Sequence, residues 1–242
     1  MYYKNISICI MDTLSNPFTW LIVYTIFYVI AQYYMPDYRL IIDGIYFSCT
    51  IMTMYIVNMN MIQSNCGSPG SNGLVLKVTL LPWLLMFLPM VILLYLFPIW
   101  KQPFSNTIGY MITYLAIGAG PLIELLQPKE TEGMTALHNV YDSPFVLINK
   151  FTVQNFHTAL LEVKDIFKPT IQAVIDAHNL QPLQSFYKMI LLKDIISQGM
   201  WYLLAGSIVL TKSFQMITDA GCTRTAEQQS AQASAQASAQ TS

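Results

Sequence analysis

Charge is scarce in this chain. Only 10% of its 242 residues are Asp, Glu, Lys or Arg, against about 25% in ordinary soluble domains. The formal net charge is −1, so no basic surplus invites nucleic acid or strong attraction to anionic lipid. Cysteine is sparse as well. Cys9, Cys49, Cys66 and Cys222 form no CxxC and have no histidine ligand nearby, which excludes a zinc ribbon or a disulfide framework. His138, His157 and His178 are widely separated, and no HExxH or HxxxH pair occurs. GxSxG and kinase signatures are absent. Gly67-Ser68-Pro69-Gly70 lacks the GK[ST] that would make it a phosphate cradle, and reads as a connector. The expectation is a protein that is not an enzyme, with no cofactor and no metal.

What the chain has in abundance is apolar sequence, 54% of all residues. Val78–Trp100 holds 23 residues without a charge, with Lys77 before it and Lys101 after it. A hydrocarbon core about 30 Å thick needs roughly 20 apolar residues of helix, and a buried soluble helix is rarely apolar on every face for so long. Trp83 and Trp100 lie towards its ends, and the flanking lysines can extend towards headgroups. Pro82, Pro89 and Pro98 should bend it.

Three further runs support a polytopic bundle. Residues 17–34 start at Asn16-Pro17, a favoured helix opening, and read as an uncleaved span, because no small-x-small cleavage site precedes them. Residues 44–63 form a weaker span, with Ser48, Thr50, Thr53, Asn58 and Asn60 available to bond neighbouring helices. Residues 108–126 are a fourth candidate, interrupted by Gly118-Ala119-Gly120-Pro121 and carrying Glu124, so a re-entrant segment or one ending at the interface is the alternative. A possible fifth span covers 195–212, whose 17 uncharged residues Ile195–Thr211 contain Ser197-Gln198-Gly199.

The charges concentrate later. Residues 1–126 hold 8 of the 25 and residues 127–194 hold 13, so the latter read as a small helical extramembrane region, mildly favoured as cytoplasmic. Within it Val153, Phe156, Leu160, Val163 and Phe167 recur at spacings of three and four and fall on one helical stripe. Such a stripe packs on its neighbours or meets a partner, and these five residues are candidate partner contacts. Pro169 closes this helix; Ile171, Val174, Ile175 and His178 suggest another, and Pro182 can open a third. Residues 222–242 form an Ala/Ser/Gln tail with a repeating Ser-Ala-Gln-Ala pattern from Ala226 on. They lack the apolar surface that would offset ordering entropy, and are expected to be disordered or held only by a partner.

Glu124 is the one ionisable residue that invites a membrane-site hypothesis, since an acid inside lipid is costly and usually functional. An interfacial carboxylate is the competing reading. With Asn58 and Asn60 it defines the alternative function, a small channel or transporter.

The run Phe97-Pro98-Ile99-Trp100-Lys101-Gln102-Pro103-Phe104-Ser105-Asn106-Thr107-Ile108-Gly109-Tyr110, with Tyr141-Asp142-Ser143-Pro144-Phe145-Val146-Leu147-Ile148-Asn149, resembles membrane proteins encoded by large icosahedral double-stranded DNA viruses of the chlorella-virus and mimivirus type. The likeness covers roughly the middle third of the chain. It implies a capsid-associated component of the virion's internal membrane, derived from a host membrane. The implied partners are the lipid bilayer and other capsid or membrane proteins of the particle, with self-association possible. No catalytic or cofactor residue follows from it. The Pro103-Phe104-Ser105-Asn106 corner would fix the angle between two spans, Ser105 or Asn106 capping the next helix, with Phe104 a partner contact if exposed. The expectation is thus an all-α transmembrane helical bundle of four to five spans that links bilayer to capsid through residues 127–194 and the tail.

Overall fold

The computed structural model describes residues 16–66, 72–128, 135–177 and 181–219. Loop residues 67–71, His178, Cys9, Cys222 and the 222–242 tail lie outside these. Among the described residues every regular element is helical, as expected, and the one extended pairing is an isolated antiparallel bridge between Leu126 and Phe167. In chain order the α-helices of four residues or more are α1 (Pro17–Tyr34), α2 (Arg39–Cys66), α3 (Asn72–Leu96), α4 (Tyr110–Ile117, entered through a helical turn Gln102–Phe104 and a π turn Ser105–Gly109), α5 (Gly120–Ile123), α6 (Thr135–Asp142), α7 (Pro144–Ile148), α8 (Phe156–Glu162), α9 (Pro169–Asp176) and α10 (Gln184–Asp219).

Local chemistry explains several boundaries. The Asn16 side chain accepts the Phe18 N–H at 2.9 Å and caps α1, with Pro17 at the first helical position. Pro36 opens a 3-10 turn, Pro36–Tyr38, that leads directly into α2. In α3 a π turn, Trp83–Phe87, lies between Pro82 and Pro89, and the Leu88 N–H reaches back to the Trp83 carbonyl. That wider turn accommodates prolines that cannot donate in the ordinary ladder. Pro144 and Pro169 open α7 and α9 in the same manner as Pro17.

Two stretches, Pro36–Gln63 and Asn72–Leu96, are long and apolar enough to cross a membrane. The expected four to five spans are therefore not met by length and composition alone. The tyrosines, Thr25 and Gln32 dilute α1, and the polar residues Ser197, Gln198, Ser207 and Thr211 dilute α10. Boundaries move too. The 78–100 run becomes a helix from Asn72 to Leu96, because Pro98 disfavours helical backbone at Phe97. The 108–126 run is not one helix: Gly118 at φ 79° ends α4, and α5 is a single turn. The 195–212 run is the middle of α10, which continues unbroken to both sides for 36 residues, about 54 Å at 1.5 Å per residue.

The chain contacts separate into two units. Of the described residues, the first contains 16–28, 40–66, 72–93 and 202–219; the second contains 29–39, 94–128, 135–177 and 181–201.

In the first unit hydrogen-bonded polar groups share the interior with apolar side chains such as Leu21, Met54, Trp83 and Phe87, and many large apolar side chains lie outside. Thr25, Thr50, Asn58, Thr79 and Ser213 are buried. Asn58 donates to Thr79 Oγ1 at 2.9 Å, Ser213 to the Val78 carbonyl at 2.9 Å, and Thr25 bonds Tyr46 at 3.1 Å. Tyr28 and Tyr202 both donate to Asp43 Oδ1, at 2.8 and 3.2 Å. Around them lies an aromatic cluster of Tyr28, Tyr46, Trp83, Phe87 and Tyr202. Ile26, Phe27, Leu40, Ile41, Ile45, Met52, Leu85 and Ile92 are exposed.

The second unit has a conventional apolar core: Leu122, Leu126, Leu137, Leu147, Phe151, Phe156, Leu160, Phe167, Phe186 and Ile190 pack together. A short strap holds it, in which Gln127 N–H donates to the Ile166 carbonyl and Lys168 N–H to the Leu125 carbonyl, both at 3.0 Å. The Gln127 side chain adds bonds to the carbonyls of Asp165 (2.9 Å) and Phe167 (3.1 Å). Residues 118–126, read from sequence as half of a span, thus contribute Leu122, Leu125 and Leu126 to this core.

Candidate functional site

The polar groups that converge most closely lie in the second unit, on α10 and the segments around Pro36 and Lys101. α10 carries Lys193, Asp194, Ser197 and Gln198 on consecutive turns, all buried. Lys101, 2% exposed, forms an ion pair with Asp194, and Ser197 donates to the Lys101 carbonyl. A buried ammonium requires such a partner, since an isolated charge in apolar surroundings costs several kcal/mol. The sequence reading had Lys101 extending to headgroups. It is enclosed instead, because Asp194 offers it an opposite charge in place of the water it gives up.

Lys193 points to a separate set of acceptors: Asn106 Oδ1 at 3.2 Å and the carbonyls of Ile148 and Phe151, both at 3.1 Å. It thereby ties down the turn that follows α7, whose Ile148 carbonyl also accepts the Phe151 N–H at 3.2 Å. Burial pushes its ammonium down to about 8, and the neighbouring Asp194 charge opposes the shift. Gly109 permits the close approach of this part of α10. A Cβ there would lie 2.6 Å from the Lys193 carbonyl oxygen and 3.1 Å from that of Phe104.

Beside the ion pair is a pocket of about 260 Å³ lined by Gln32, Pro36, Asp37, Arg39, Val153, Tyr187, Leu191, Asp194, Ile195 and Gln198. Arg39 donates to Gln198 Oε1, and Gln32 donates to the Arg39 carbonyl at 3.2 Å. Gln32 and Gln198 are buried, Arg39 is half-buried and Asp37 is exposed. The arrangement can bind a small polar group. Among the described residues no three His, Cys, Asp or Glu side chains gather on one point.

The residues singled out by sequence fare differently. Phe156, Leu160 and Phe167 are core residues of the second unit, with Val153 and Val163 partly buried against them. A side chain enclosed at 0–3% exposure is not available to a partner, so the stripe packs on its own unit. Nor is it one helix: α8 ends at Glu162, and Lys164–Ile166 form a 3-10 turn. Phe104 is half-buried, its ring edge-on to Trp201 at 5.1 Å. Asn58 is consumed by Thr79, Asn60 is exposed on the same helix, and Glu124 belongs to the other unit. Glu124 is exposed, and its carbonyl accepts Lys168 Nζ at 2.6 Å. Sequence reasoning missed the pocket, because Gln198 lies 159 residues beyond Arg39 and no spacing links it to Gln32 and Arg39.

No family model matches the chain, and no curated protein or solved structure matches it either.

Proposed function

We propose that this chain is a structural integral membrane protein of a viral particle, linking the particle's internal bilayer to its capsid. The observation that carries the membrane part is the extensive exposed apolar surface of the first unit, around an interior that includes paired polar groups. A soluble protein that exposed so many large apolar side chains while burying hydrogen-bonded Asn, Thr and Ser would present a very large sticky surface. In lipid the same distribution is favourable, because paired polar groups hold helices together where apolar contact gives no preference. The two membrane-length stretches agree with this: only 22% and 33% of their apolar windows are buried, where the core helix of a soluble protein would be mostly enclosed.

The second unit, with its own apolar core, supplies the contact region for capsid or membrane proteins, supported by the resemblance of residues 97–110 and 141–149 to viral membrane proteins. Its enclosed stripe moves the expected contacts to exposed apolar residues such as Val146 and Leu161. Photo-crosslinkers at these two positions, activated in intact particles carrying the chain, test the link. Adducts with capsid proteins are expected. Adducts restricted to lipid and to other copies of the chain would refute it.

A further inference from the structure

Asp194 and Lys101 neutralise each other in the second unit. The pocket beside them is then left with two formal charges, the guanidinium of Arg39 and the carboxylate of Asp37. Asp37 has no hydrogen-bond or ion-pair partner among the described residues, and Arg39 bonds only Gln198 there with its five N–H donors. One cation and one anion, two residues apart and not paired with each other, complement a ligand that carries both signs. A guanidinium fork matches a phosphate, and a carboxylate accepts the N–H bonds of a primary ammonium. At about 260 Å³ the pocket is smaller than sites for drug-sized molecules, roughly 300–1,000 Å³, so it suits a headgroup and not acyl chains. Pro36 and Arg39 also begin the Pro36–Gln63 stretch, and the end of a bilayer-crossing helix lies at headgroup level. Gln32 and Gln198, both buried, give the floor fixed amide groups.

We infer that this pocket binds a phosphoethanolamine group, with its phosphate on Arg39 and its ammonium on Asp37, and that the group comes from an aminophospholipid. The lipid source rests on the membrane reading proposed above; the charge complementarity does not. The test uses the purified full chain, exchanged into an equimolar mixture of phosphatidylethanolamine, phosphatidylcholine and phosphatidylglycerol of identical acyl chains. Retained lipid is counted by native mass spectrometry. Wild type should retain the ethanolamine lipid about tenfold over the other two, a charge-assisted hydrogen bond being sufficient for that ratio. Asp37→Asn should level ethanolamine with choline lipid, and Arg39→Gln should lower retention of both, with helicity by circular dichroism unchanged in each variant. Equal retention of all three lipids by wild type, or unaltered selectivity in Asp37→Asn, would overturn the inference. Soluble glycerophosphoethanolamine separates the sources: if it binds while no lipid is retained, the lipid source is refuted and the headgroup chemistry stands. Flotation of the same samples with phosphatidylcholine vesicles keeps the two readings apart. A chain that floats without lipid selectivity loses only the pocket assignment, and one that stays in the aqueous fraction loses the membrane reading.

Discussion

Replacing Lys101 by methionine leaves the Asp194 carboxylate at 7% exposure without its counter-charge. Breaking one half of a buried pair costs about 3–5 kcal/mol, most of it the penalty of the stranded partner. For a chain of this size each kcal/mol moves the melting midpoint by roughly 2–4 °C, so Lys101→Met should lower it by about 6–20 °C. Asp194→Leu should do the same from the other side. The double variant Lys101→Met/Asp194→Leu removes both charges and should recover most of the loss, since an apolar pair of similar volume is often neutral or better. Thermal unfolding of the detergent-solubilised protein, followed by circular dichroism across the four-member cycle, measures the coupling. Additive losses in the double variant, or a single-variant shift below about 2 °C, would refute the enclosed pair.

Gly109→Ala should destabilise by at least about 1–3 kcal/mol, the usual cost of overpacking, because its Cβ would meet the backbone oxygens of Lys193 and Phe104; Gly206→Ala, which meets only the movable end of Leu21, should cost less, and comparing their melting curves checks this. Phe156→Ala should cost about 3–5 kcal/mol of stability, and a variant that stays stable while losing only a partner would show that the stripe is a docking face after all. The pH dependence of Lys193 has a fixed sign: its folded value is lowered to about 8 from 10.5, so the folded state binds fewer protons between these values. Its contribution to stability should therefore rise from pH 8 to 10.5, and Lys193→Met should flatten that part of the stability–pH curve measured in detergent. Asn58→Leu should cost only about 0.6 kcal/mol, the average for interhelical polar bonds in a membrane, read by the same unfolding assay.

Sequence made the helical class plain, because an apolar run of 23 residues has few other homes. It placed α1 to within a residue or so, since Asn16-Pro17 caps one end and Pro36 punctuates the other. It failed where periodicity crosses a turn. The spacing of Val153 to Phe167 is helical, yet a 3-10 turn at Lys164–Ile166 carries Phe167 into the same core, and spacing alone cannot distinguish the two. It did not reveal what Lys193-Asp194, the charged pair just before the possible fifth span, would do. Each charge has found partners from distant segments, Lys101 for one and the carbonyls of Ile148 and Phe151 for the other. The pocket was illegible for the same reason. Its residues come from three separate stretches brought together by packing, and none belongs to a motif.

Cys49 lies near the middle of the Pro36–Gln63 stretch with its side chain exposed. Its reaction with a charged maleimide, in a chain whose Cys9, Cys66 and Cys222 are serine and which is reconstituted in open bilayers, tests the membrane assignment directly. The account predicts no labelling until detergent or denaturant dissolves the bilayer. Rapid labelling in the intact membrane would place that helix face in water and contradict it.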